Sequence, residues 1–126
     1  MKRSLFGFIL LVVLLLLSLG VTALMARLHE PIAMDLAQAA ERISGGDWAG
    51  AVALAEKARR AWEQVEPLSA CFADHGPMEE INQEFAQLEV YGFSREPMAF
   101  AAACGSLAEK VQAMSDAHGL QWRNIL

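Results

Sequence analysis

Ser4-Leu-Phe-Gly-Phe-Ile-Leu-Leu-Val-Val-Leu-Leu-Leu-Leu-Ser-Leu-Gly-Val-Thr-Ala-Leu-Met-Ala26 is the stretch on which the rest of the chain hangs. It holds no charged residue. As a helix rising about 1.5 Å per residue, it measures roughly 34 Å, enough to cross a hydrocarbon core of about 30 Å. The 126-residue chain therefore divides into a tail (1–3), a transmembrane anchor (4–26) and one small domain (27–126). A domain of that size can bury a core without metal or disulfide support.

Lys2 and Arg3 flank the run on its N-terminal side, and Arg27, Glu30 and Asp35 follow it. Basic residues stay on the cytoplasmic side, so the expected orientation is N-terminus in and domain out. Arg27 opposes that assignment mildly. The same segment has the parts of a secretory signal, with Val21 and Ala23 as small residues ahead of a cut. The length of the apolar run favours an uncleaved signal-anchor, and either reading exports the domain. Beyond Ala26 the chain carries 8 Lys and Arg against 15 Asp and Glu, a balance of −7. That charge excludes nucleic acid as a partner, because phosphate neutralisation needs clustered basic residues.

Every later segment reads as helix, and the expected fold is all-α, an anchor followed by a small antiparallel bundle of about four helices. Ile32, Leu36, Ala39, Ala40 and Ile43 keep helical spacing up to a stop at Ser44-Gly45-Gly46. Glu30-Pro31 reads as a joint after the anchor. Asp47 is a candidate cap for a second helix running to about Glu66, with Trp48 and Trp62 on its apolar stripe. Pro67 marks a third start. From there Leu68, Cys71, Phe72, His75, Met78, Phe85 and Leu88 recur at helical intervals, with a kink or a break at Gly76-Pro77 and a cap at Gly92. Glu96-Pro97 opens the last helix, which carries Trp122. The expected structural core includes Trp48, Trp62, Phe72, His75, Phe85 and Trp122.

These features together resemble a known family. The N-terminal anchor, Gly46-Asp47-Trp48 opening a helix, Trp62 fourteen residues on, His75 before an acidic helix and the closing Trp122-Arg-Asn-Ile-Leu126 carry the likeness. It is to the small bacterial membrane proteins of domain-of-unknown-function family 4363. The resemblance implies a short anchored helical bundle and no activity. Gly76-Pro77 departs from the family's more continuous helix at that point.

Chemistry-bearing residues are sparse. Cys71 and His75, four apart on one expected helix, could join His118 across a hairpin as metal ligands, with Asp116 nearby. The alternative reading makes Cys71 a small apolar residue and His75 a hydrogen-bonded core histidine. A Cys71–Cys104 disulfide is disfavoured by helical register, which separates the pair by roughly 20 Å against a limit near 7 Å. Glu63, Glu66, Asp74, Glu79, Glu80, Glu84 and Glu89 make an acidic stretch without Lys or Arg: a solvated face, or else a dock for a basic partner or a weak divalent-ion site. No nucleophile elbow, phosphate loop, zinc-protease or haem motif occurs. The expectation is a protein without enzymatic activity, catalytic residues or cofactor. Its role is structural or protein-interacting in the bacterial cell envelope, with an envelope partner. The alternative is a metal-binding module built on Cys71, His75 and His118.

Overall fold

The structure, a computed structural model, describes the backbone of residues 1–71 and 75–125, and side chains within that set as far as Asp116. The described residues form α1 (Lys2–Ser44), α2 (Trp48–Ser69), α3 (His75–Ser94) and α4 (Pro97–Ile125). They contain no strand. α1 packs against both α2 and α4, α3 packs against α4, and α2 and α3 barely touch. The bundle is thus closed on three sides and open along the fourth.

The joint expected at Glu30-Pro31 does not form, because α1 runs unbroken through Pro31. Proline removes one backbone donor, yet its fixed φ suits a helix. Pro31 itself is exposed. The two turns around it are held from the other side, where Met25, His29, Ile32, Ala33, Leu36 and Ala39 are buried. One helix therefore carries both the exposed apolar run and a quarter of the core.

The turn from α1 to α2 satisfies the helix end in two bonds. Gly46 N–H donates to the Ile43 carbonyl at 3.0 Å, and Asp47 N–H donates to the Arg42 carbonyl at 2.9 Å. That pattern requires a left-handed residue, which Gly46 supplies at φ 78°. Asp47 then caps α2. Its Oδ1 accepts from the Gly50 N–H at 2.9 Å, and its Oδ2 pairs with Arg42 Nη1 at 2.7 Å. A Cβ at position 50 would collide with the Asp47 capping carboxylate, so glycine there lets the cap close.

Two helix ends fall elsewhere than expected. α2 does not stop before Pro67 but continues to Ser69. The buried Ser69 side chain is bonded to α1, which pins the last turn in place. Ala70 and Cys71 then form a turn, and Pro77 falls in the first turn of α3, where a missing N–H costs nothing. α3 likewise passes through Gly92 to Ser94. Its left-handed closing residue is Arg95, at φ 53°, with Glu96 N–H donating to the Tyr91 carbonyl at 3.2 Å.

The core runs the length of the bundle. Trp48 and Phe100 meet near the α1–α2 turn with ring centroids 5.1 Å apart, so the α1–α2 and α3–α4 turns share one end, the crown. The α2–α3 turn lies at the other end, the foot. Trp62 and Phe85 are buried at mid-height, with centroids 6.3 Å apart, and Trp48 is half-buried. His75 is exposed at the start of α3, which corrects its expected place in the core. With the helix broken ahead of it, His75 no longer shares a stripe with the residues of the preceding segment. Phe72 and the side chain of Trp122 lie outside the described residues.

Candidate functional site

His29 occupies a fully buried position on α1, and the sequence reading passed over it. Its Nδ1 lies 2.7 Å from the Met25 carbonyl oxygen, which can only accept, so Nδ1 carries a proton and donates. In the neutral ring Nε2 then accepts, and Ser69 Oγ stands 3.1 Å away with a hydroxyl to donate. The imidazole also tilts against Trp62, with centroids 5.9 Å apart. Trp62 Nε1–H donates to Asn82 Oδ1 at 2.7 Å, and Asn82 Nδ2 donates to Glu66 Oε1 at 2.8 Å. Hydrogen bonds and one ring contact thus tie α1 to α2 and α2 to α3 between mid-height and the foot. The signal was present: His29 is four residues after Met25 and three before Ile32, on the extension of the stripe already recognised.

The open side between α2 and α3 forms a groove of about 220 Å³. Val52 and Ala55 of α2 and Phe85 and Leu88 of α3 line it, with Phe100 of α4 behind. Its rim is charged. Arg59 donates through Nη2 to Glu56 at 2.6 Å and through Nη1 to Glu63 at 2.8 Å. The Arg59 hydrogen bond holds the Glu56 carboxyl below the usual carboxylate range. Toward the crown the groove opens beside Phe93, which is 93% exposed, with Val90 and Met98 also exposed nearby. Several large apolar side chains bare at one end of a small bundle are unusual for a monomer's surface.

The candidate metal ligands fall only in part within the described side chains. Cys71 lies just past the end of α2, in the turn, while His75 opens α3, so the two do not share a helix face. The side chain of His118 lies outside the described residues. Among the described residues no group of three or more His, Cys, Asp or Glu converges as metal ligands do. Cys71 and Cys104 are both free thiols, the first exposed and the second buried. Burial pushes the Cys104 thiol up to about 12. Much of the acidic stretch is partnered. Lys110 of α4 pairs with Glu84 and approaches Glu80 at 3.9 Å, Glu63 holds Arg59, and Glu66 accepts from Asn82. Asp74 lies outside the described residues.

The described residues define a class: four helices, the first of them long and apolar enough to cross a membrane. Residues 21–125 match the family model of a domain of unknown function (DUF4363), and the chain belongs to that family. No curated protein matches it, and no solved structure does.

Proposed function

We propose that this is a single-pass membrane protein whose bundle stands outside the cytoplasm and serves a structural or protein-interaction role in the bacterial cell envelope, without catalysis. The observation that carries the reading is α1 itself. Leu5 to Leu17 expose every large apolar side chain, while the same helix continues into the core from Met25 onward. Bare leucines over four turns are stable in lipid and costly in water. Lys2 and Arg3 ahead of the run support a cytoplasmic N-terminus. The apolar groove and the exposed Phe93, Val90 and Met98 support a protein partner at the crown, away from the anchor.

External protease on spheroplasts of expressing cells tests the arrangement. The C-terminal region is expected to be digested, leaving a membrane-bound N-terminal fragment. Full protection of the C-terminus in intact spheroplasts, or a mature chain starting near Leu24, would overturn it. A photo-crosslinking residue at Phe93 in the same cells is expected to give a discrete protein adduct that the same residue at exposed Gln38 does not.

A further inference from the structure

The register of the bundle along α1 has a consequence for where the membrane surface falls. α1 and α2 run antiparallel: Asp35 Oδ2 stands 3.6 Å from Lys57 Nζ near mid-height, and His29 and Met25 both reach Ser69 at the foot. Ser69 is therefore level with residues 25–29 of α1, and Cys71 lies on the order of 3 Å further toward the anchor. The uncharged run does not end until Ala26. The end of α2, with Cys71 just beyond it, and the end of that run share one level.

α4 reaches at least as far. Phe100 is held at the crown by Trp48, next to the end of α1. From Phe100 to Ile125 the helical backbone descends roughly 37 Å, which brings it level with about residue 19 of α1. The burial on α1 agrees. Ser18, Val21, Thr22 and Met25 are covered in part or whole at helical spacing, whereas Leu5 to Leu17 are bare. Thr22 Oγ1 donates to the Ser18 carbonyl at 2.9 Å, so its hydroxyl is satisfied within the helix without water. The family match also begins at Val21, inside the run.

A helix needs about 20 residues to cross the hydrocarbon. Counted from Ser4, that span ends near Ala23, at the height of the foot. α1 has no break between span and bundle that would let the foot stand clear. We infer that the foot of the bundle, with Leu68 at the end of α2 and Cys71 just past it, is seated in the lipid headgroup layer. The bundle's partner at this end is the lipid surface itself. Arg27 and Glu30, both exposed on α1, fall at the same level, where charged heads meet headgroups. The unbroken α1 then sets the height and tilt at which crown and groove are presented.

This rests on the anchor reading, and the test separates the two. Cys71 is exposed and Cys104 buried with its thiol protonated, so a maleimide–NBD probe marks Cys71 in the full-length protein. The labelled chain is reconstituted in phosphatidylcholine vesicles and floated on a density gradient. A second sample carries the label at the crown in a Cys71→Ser/Phe93→Cys variant. The Cys71 probe is expected to emit to the blue of the Phe93 probe, to be quenched several-fold less by aqueous iodide, and to be quenched best by nitroxides at the headgroup or first acyl carbons. A chain that floats with the vesicles but whose Cys71 probe is quenched by iodide as fully as the crown probe overturns the inference and leaves the anchor standing. A Cys71 probe quenched best from the bilayer centre also overturns it. A chain that does not float overturns the anchor reading, and this inference with it.

Discussion

His29 on α1 and His75 at the start of α3 show how differently one residue type behaves within one bundle. His29 is inaccessible to water, held by a carbonyl on its own helix and a hydroxyl on the next, with Trp62 against its face. Removing the ring takes its Nε2 away from Ser69 Oγ, leaving that hydroxyl only the weak Met25 sulfur at 3.9 Å, and opens a cavity beside Trp62. His29→Ala should cost on the order of 2–4 kcal/mol. His75 is exposed. His75→Ala should stay within about 0.5 kcal/mol of the wild type. Denaturant unfolding of both full-length variants in one detergent, followed by Trp fluorescence, checks the contrast. A metal site at His75 would show itself differently, as a wild-type transition lowered by chelator.

Among the elements, two helices end on a left-handed residue followed by an N–H that donates to the carbonyl five residues back, with different residues at the left-handed position. α1 closes with Gly46 and α3 with Arg95. An L side chain pays in that conformation and glycine does not, although glycine loses more freedom on folding. Arg95→Gly should therefore raise stability by roughly 0.5–1 kcal/mol, whereas Gly46→Arg should lower it. Thermal melts of the two variants decide this. At the start of α2, the Arg42 hydrogen bond and then the Gly50 N–H hold the Asp47 carboxyl below its ordinary value. The sign follows from linkage: a group whose folded value is depressed stabilises the fold above its unfolded value, about 3.9, and that contribution is lost as pH falls through the folded value. Asp47→Asn keeps an acceptor and loses the charge. The gap in melting temperature between wild type and Asp47→Asn should be open at neutral pH and close on acidification below about pH 4.

For the whole molecule, the open fourth side predicts an order of opening. α1 is packed on both flanks, α4 holds α1 and α3, and α3 is fastened chiefly to α4. Among the described residues, the links from α3 back to α2 run chiefly through the Trp62–Asn82–Glu66 hydrogen bonds and the Trp62–Phe85 contact. Local opening follows the least buried contact. Amide exchange in α3 between Met78 and Tyr91 should be faster than in α1 between Ile32 and Ile43. Equal protection would mean that the α2–α3 side is covered, as a bound partner in the groove would do.

The all-helical architecture, the apolar first segment, the Gly45-Gly46 stop, the Asp47 cap and the Glu96-Pro97 start were all legible in the chain. Each depends on neighbours a few residues apart, through periodicity, backbone conformation or a missing N–H. The course of α1 through Pro31, the extension of α2 past Pro67 and the passage of α3 through Gly92 were not. Local rules read proline and glycine as punctuation, and packing from the far side of the helix overrode them. The same limit hid His29 and misplaced His75. Which polar group is buried depends on a partner forty residues away in one case, and on which side of the foot turn a helix begins in the other. The open α2–α3 side and the height of the foot along α1 arise only when four helices of unequal length are set side by side. No stretch of sequence contains that comparison.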